Sequence, residues 1–511
     1  MDRRRFLIGS AAASGYALLS SALSYRSFAG TSFSSNPFTL GVASGDPTPN
    51  GVVLWTRLAP DPLHGGGMPP GPVMVEWQIA ADDKMSRILQ RGPAVASPDL
   101  AHAVHVEVDG LEPDRWYWYR FVAAGEESPV GRTRTLPMTG AAVGQLRFAF
   151  ASCQNYENGY FTALRHMAAE DIDLVIHIGD YIYDSNWGGV RSHGTKVKPA
   201  TLEEFRARHT LYRLDRDLQA AHLAFPWLVL PDNHDAQDDN NLSPDLLRRR
   251  AAAYQAWYEH MPTRAAARPQ SPAMPIYQSV DVGTLARIYL LDTRQFRESQ
   301  DVCAKGADPN FGYGAYQPLC RPALEEQRSM LGREQEVWLA DRMAQSSSRS
   351  NVLASTVLFS SYAIQHGSES LRYMYSWDGF PANRARILKQ ISDLHLANPV
   401  VISGDLHLSM VADVKLDPAN PASPTVATEF LGTSISSLPG DLEPPIRASL
   451  PLNPQVKYYD GEKRGYMLCR IKPDSCETVL RTVATALQPD AAISSQASFV
   501  VEAGRPGAQQ A

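Results

Sequence analysis

No stretch of the 511-residue sequence reaches the run of about 18 apolar residues that a stable membrane-spanning helix needs, so no stable span is expected. Cysteine is scarce, five in all, which excludes a scaffold held together mainly by disulfides. Positive charge is not in excess. The 48 Lys and Arg face 54 Asp and Glu for a formal charge of −6, so no nucleic-acid-binding surface is evident. A phosphate-bearing substrate must then be held by a local site and not by a global field. What is present is ordinary for a globular protein: 44% hydrophobic and 20% charged residues, with 35 Gly and 37 Pro marking many turns. At roughly 100 to 200 residues per domain, the length allows two or three domains.

Arg3, Arg4 and Arg5 precede Phe6-Leu7, a small and apolar stretch from Ile8 to Leu23, and Ser27-Phe28-Ala29 ahead of Gly30. That is the charged region, apolar region and small-x-small cleavage site of an export signal. A short buried helix or an N-terminal anchor are the alternatives, but Gly9, Ser10, Ser14, Gly15, Ser20 and Ser21 make the stretch too polar for a stable span. The order Arg-Arg-x-Phe-Leu resembles a twin-arginine signal, which hands folded and often metal-loaded proteins to the twin-arginine export machinery. A periplasmic or secreted monomer is therefore expected, and loss of a signal peptide over 1–29 removes four Arg and one Asp to leave −9. For such a protein two local disulfides are expected, Cys303 with Cys320 and Cys469 with Cys476, leaving Cys153 as a special or simply buried thiol.

From 38 to 137 the sequence reads as short aromatic-rich alternating strands: Gly51–Thr56, Val73–Trp77, Ala103–Val108 and Trp116–Arg120. An all-β sandwich is predicted, and Leu111-Glu112-Pro113 before Trp116-Tyr117-Trp118-Tyr119 resembles the tyrosine-corner strand of fibronectin-like domains. Beyond a Gly/Ala linker, 146–488 alternates apolar strands with helical periodicity: Leu146–Ala151, Leu174–Ile178, a helical region from Leu202 to Ala224, then Trp227–Leu230, Arg287–Leu291, Val352–Ser360 and Val400–Ile402. The expected class is α/β, layered sheets with flanking helices and sites at the carboxyl ends of strands. Residues 489–511, rich in Ala, Ser, Gly and Gln, are expected to form a flexible tail.

The polar residues fall where these strands end. Leu146–Ala151 is followed by Ser152-Cys153-Gln154, and Leu174–Ile178 by Gly179-Asp180-Tyr181-Ile182-Tyr183-Asp184. Trp227–Leu230 runs into Pro231-Asp232-Asn233-His234-Asp235, and Val400–Ile402 into Gly404-Asp405-Leu406-His407. Taken singly, a Gly-Asp is a turn, Asn233-His234-Asp235 a helix cap, Cys153 inert core and His177 a satisfied core histidine. Taken together, four buried strands delivering ligand types to one sheet edge point to a shared cation, because such groups without partners cost several kcal/mol each.

With these motifs the chain resembles the PhoD-type alkaline phosphatases, a branch of the calcineurin-like metallophosphoesterases. The resemblance also takes in Phe38–Pro47, Asp292-Thr293-Arg294-Gln295-Phe296-Arg297, Leu331–Gln335 and Trp377–Pro381. It implies a ferric ion, Fe3+, with calcium, Ca2+, nearby. Cys153, Asp180, Tyr183 and His407 would serve the iron, since a phenol binds as phenolate only beside a strongly acidic cation. Asp180 as the bridge, with Asn233 and Asp405, would offer hard oxygens to calcium. The family reads Trp-Asp-Asp-His-Glu/Asp and then Asn-Asn where this chain has Pro231-Asp232-Asn233-His234-Asp235 and then Asp238-Asp239, so a ligand survives at 233 with one charge fewer.

The activity implied is hydrolysis of a phosphoester by metal-bound hydroxide, with His234 protonating the leaving group. Arg191 is either a phosphate-holding side chain or a solvated loop residue, and His366 either a further ligand or a surface histidine. The alternatives are a phosphodiesterase of phospholipase D type and a non-catalytic exported binding protein with structural metals.

Overall fold

The computed structural model describes residues 32–236 and 243–511. The expected signal peptide and Asp238-Asp239 lie outside the described residues. Two large sheets form the centre. The first has ten strands in the order Arg505–Gln510, Ile493–Glu502, Ser475–Val483, Arg464–Ile471, Leu146–Ala151, Leu174–Ile178, Pro226–Leu230, Val42–Thr48, Gly51–Arg57 and Ala103–Val108. The second has seven: Gln278–Val282, Ala286–Leu290, Ser350–Ala354, Pro399–Ser403, Thr425–Leu431, Ser409–Lys415 and Val456–Asp460.

Phe148, Phe150, Ile176 and Leu228 of the first sheet share one buried core with Ile288, Val352, Val400 and Phe430 of the second. Behind the second sheet, helices Gly332–Ala344 and Pro381–Asp393 bury Leu339, Met343, Ile387 and Leu388 against Leu353 and Val401. Strands covered on both faces carry unbroken apolar runs instead of alternation. Leu174–Ile178, Pro226–Leu230 and Pro399–Ser403 are accordingly buried at every position. The helical region after Thr201 divides in two. Thr201 and Glu204 close a capping box on Leu202–Arg213, and the Asp215 carboxylate accepts from the Asp217 and Leu218 N–H groups to start Arg216–Ala224.

The N-terminal strands form a sandwich in which one sheet is not their own. Val73–Ala80, Ile88–Ala96, Trp116–Ala123, Glu126–Glu127 and Gly131–Arg134 make the outer sheet. Its Val75, Ile79, Tyr119 and Phe121 pack on Val52, Leu54 and Val106, which belong to the ten-stranded sheet. The tyrosine corner is present: the Tyr117 hydroxyl accepts from the Glu112 N–H at 2.8 Å and lies 3.2 Å from the Glu112 carbonyl. Val42–Thr48 pairs in parallel with Pro226–Leu230, Ser44 opposite Pro226 and Gly45 opposite Trp227. At this seam the backbones close on Gly45, where a Cβ would meet the Pro262 carbonyl oxygen at 2.3 Å and that of Trp227 at 2.7 Å.

Two expectations are corrected. Cys303 and Cys320 are disulfide-bonded, but Cys469 and Cys476 are buried free thiols. They sit on paired antiparallel strands yet diagonally, Cys469 opposite Thr478 and Cys476 opposite Ile471. Diagonal neighbours are roughly 7–8 Å apart, too far for a disulfide. Nor is 489–511 a flexible tail. Ile493–Glu502 and Arg505–Gln510 close the edge of the ten-stranded sheet, with Ala497, Phe499 and Val501 buried at every second position.

Gly45→Ala should lower the melting temperature by several degrees, because overpacking against rigid backbone costs roughly 1–3 kcal/mol. Gly71→Ala, where a Cβ meets nothing within 4 Å, should leave the melt within a degree or so.

Candidate metal centre

The three adjacent parallel strands Leu146–Ala151, Leu174–Ile178 and Pro226–Leu230 end at one edge of the first sheet, and Pro399–Ser403 ends beside them from the second. Each strand turns sharply there. Cys153, Asp180, Asp405 and His407 all have φ between 53° and 76°, the left-handed region that non-glycine residues seldom occupy. Such conformations cost on the order of 1–3 kcal/mol each and persist only where the surroundings impose them. The two sheets meet closely, since a Cβ on Gly404 would lie 2.6 Å from the Ser152 Oγ. Asp235, fully buried, ties the second turn to the third by accepting from the N–H groups of Tyr181, Ile182 and Asp232.

The turns bring Cys153, Asp180 and His407 together, with one donor atom of each inside a 4.8 Å span. The Tyr183 oxygen is 2.9 Å from both Asp180 Oδ2 and His407 Nε2, and the Ser437 Oγ is 2.8 Å away. His407 Nδ1 faces the Leu438 carbonyl at 2.8 Å, so Nδ1 carries the proton and Nε2 presents its lone pair. The phenol then has one hydrogen for two acceptors, and one acceptor stays unmatched unless a cation lies among them.

The other predicted ligands adjoin this cluster through Arg294, a side chain whose role the sequence alone does not reveal. Arg294 grips Asp232 through Nε and Nη2, and the same Nη2 reaches Asp405 Oδ1 at 3.1 Å and Asn233 Oδ1 at 3.3 Å. Thr356 supports Asp232 at 2.6 Å. Asp405 Oδ2 is buried with no hydrogen-bond partner. Arg294 therefore orients these oxygens while leaving one carboxylate oxygen of Asp405 open.

Electrostatics point the same way. Burial pushes Asp180 up to about 6 and Asp405 up to about 7, and raises the Cys153 thiol and Tyr183 phenol well above their usual ranges. Burial pushes His407 down to about 3, which keeps it neutral. Among the described residues no cation offsets the burial of the Cys153 thiol and Tyr183 phenol, and the sulfur, phenol and imidazole gather around Asp180 while Arg294 gathers Asp232, Asn233 and Asp405. This donor set fits one transition-metal ion and one hard cation.

His234 stands over the cluster. Its backbone N–H donates to Asp180 Oδ1 at 3.1 Å, its ring stacks on Tyr183 with centroids 4.3 Å apart, and Nδ1 is 2.9 Å from Asp184 Oδ1. Burial alone would lower its pKa, but the charge of Asp180 and the bond to Asp184 outweigh it and push His234 up to about 9. Asp184 is held well below the carboxylate range: burial opposes this, and the bonds from His234 and Arg249 with the charge of Lys198 prevail.

Arg191 is not turned to the cluster and is not a solvated loop residue. Its donors go to Asp215 at 2.6 Å and to the carbonyls of Tyr156 and Gly159, and its guanidinium lies 3.8 Å over the Tyr156 ring. His366 stacks on Phe311 and approaches Asp308 at 3.5 Å, apart from the ligand set. His177 is buried between Trp227 and Tyr181 with both ring nitrogens unpartnered, and burial pushes it down to about 3.

Family models for the PhoD-like phosphatase and for its N-terminal domain match residues 148–480 and 23–137. The sequence is 43% identical to alkaline phosphatase D of Bacillus subtilis (strain 168) over 527 aligned positions, 99% of this chain and 88% of the relative. A solved structure of PhoD superposes with a TM-score of 0.87 at 42% identity, covering 94% of this chain and 93% of that one. Purple acid phosphatase 23 of Arabidopsis thaliana is 26% identical over 142 residues, 26% of this chain and 30% of the relative.

Because the raised pKa of His234 reflects its carboxylate neighbours, its proton is retained below about 9 and lost as pH rises through that value. In chelator-treated protein, Asp184→Asn should lower the His234 titration midpoint, followed by NMR, by about one unit or more.

Proposed function

Because this chain belongs to the PhoD-like phosphatase family and is a phosphoric ester hydrolase, we propose that it works outside the cytoplasm. In this reading Cys153, Asp180, Tyr183 and His407 hold Fe3+, and Asp180, Asn233 and Asp405 hold Ca2+. The observation that carries it is the convergence of a thiol, a carboxylate and an imidazole within 4.8 Å, with a phenol bonded to two of them. Cations bound there would activate water and neutralise the phosphoryl oxygens.

The rest falls to the protein. Asp180 would serve both ions, its Oδ2 bonded to the Tyr183 hydroxyl and its Oδ1 to the His234 N–H. Arg294 orients Asp405 and Asn233 and pairs with the buried Asp232. His234 gives a proton to the leaving oxygen from Nε2, because Nδ1 is committed to Asp184. Asp184 holds the imidazole in that orientation and favours its protonated form. Export by the twin-arginine route in the folded state is consistent with iron loaded before secretion. Among the described residues no helix is long and apolar enough to cross a membrane.

The test is phosphate release from a chromogenic monoester and a chromogenic diester before and after chelation. Release from the monoester that stops on chelation is expected. Preference for the diester would redirect the reading to a phosphodiesterase, and no release from metal-loaded protein would favour a binding protein. His234→Asn should lower kcat by roughly 10²–10⁴-fold with metal content unchanged. Tyr183→Phe should abolish a visible phenolate-to-iron absorption band, whereas a band that survives would remove Tyr183 from the ligand set.

A further inference from the structure

All nine tryptophans lie among the described residues, and Trp187 alone is exposed, at 51%. It stands beside the metal centre, its ring centroid 5.2 Å from that of Tyr183, 5.3 Å from His234 and 6.4 Å from His407. Its ring meets His234 nearly edge-on, at 86°.

The loop beneath it is rigidly held. The buried Glu157 carboxylate accepts from the N–H groups of Trp187 at 2.7 Å, Gly188 at 2.9 Å and His193 at 3.3 Å. The Asn158 amide donates to the Gly188 carbonyl, and its oxygen accepts from the N–H of Leu438, the residue whose carbonyl holds His407. Leu438 is itself 46% exposed. An exposed ring beside a buried donor cluster offers apolar area that a bound group can cover. Here three charge-assisted bonds fix the backbone that presents it at the mouth of the site.

We propose that Trp187 is a specificity-determining residue: it packs against the organic part of the leaving group and favours phosphoesters whose leaving group carries a planar aromatic ring close to the ester oxygen. The assignment rests on the hydrolase reading and on His234 as proton donor, since the leaving oxygen must face His234 and so emerges alongside the neighbouring indole. Glu157 is then a positioning residue, acting through the loop and touching no substrate. A planar ring offers the indole an aromatic pair, whereas a small polyol offers little apolar surface.

The test compares phosphate release from phenyl phosphate and from glycerol 2-phosphate by the metal-loaded full chain. For Trp187→Ala, the ratio of kcat/KM for phenyl over glycerol phosphate should fall about tenfold, mainly through KM for phenyl phosphate. Trp187→Phe should restore most of that ratio. A fall in the ratio below threefold, or equal losses on both substrates, would overturn the assignment while leaving the hydrolase reading intact. If the unaltered protein releases phosphate from neither substrate, the monoesterase reading fails and the assignment with it. Because Trp187 is half exposed, the Ala variant should keep the parental melting temperature, which separates lost recognition from lost folding.

Discussion

A cluster of buried donor groups whose bonding needs the described residues do not fully meet is the constraint around which this molecule is organised. A thiol, a phenol and a carboxylate lie buried within a few ångströms of one another, with the Asp405 carboxylate held beside them on Arg294, and three of the four are delivered by backbones in the left-handed region. Neither the strain nor the desolvation is relieved by the protein alone. Arg294 compensates Asp232 and part of Asp405 but leaves an orphaned oxygen, and the Tyr183 hydroxyl faces more acceptors than it has hydrogens. Marginally stable proteins do not retain several such defects at one point without a return in binding or chemistry.

The surrounding architecture makes the cluster rigid. Two sheets that share a buried core present their strand ends to each other, so each donor sits in a turn that directly follows a covered strand. Asp235 binds two of the turns together through three backbone N–H groups. The acid–base pair of His234 and Asp184 grows from the same turns, so proton-donating and charge-binding groups share one frame. Preorganisation of this kind keeps charges aimed without reorganisation when a substrate arrives.

Much of this was legible in the sequence because buried strands advertise themselves. Leu174–Ile178 and Pro226–Leu230 are short apolar runs, and the residues after them were the informative ones. Residues whose meaning depends on long-range pairing were not legible. Arg294 looks like any charged loop residue until Asp232, Asn233 and Asp405 arrive from elsewhere in the chain. Arg191 carries a composition suited to phosphate, yet Asp215 and the Tyr156 ring claim it. Spacing suggested a bridge between Cys469 and Cys476, which strand register rules out. The final strands hide a two-residue period within small and polar residues, and the face it defines is covered from the seven-stranded sheet, where Phe430 and Tyr458 pack on Phe499.

The seam at Gly45 and Trp227 carries a consequence for the architecture as a whole. Without Val42–Thr48, the fully buried strand Pro226–Leu230 would present a bare, apolar margin with unmatched hydrogen-bonding groups, the template on which other chains add themselves. The leading β-rich segment is thus a selvedge woven into the catalytic sheet and not a detachable appendage. The third turn of the cluster leaves that same strand, so the segment that seals the border also braces one corner of the donor cluster.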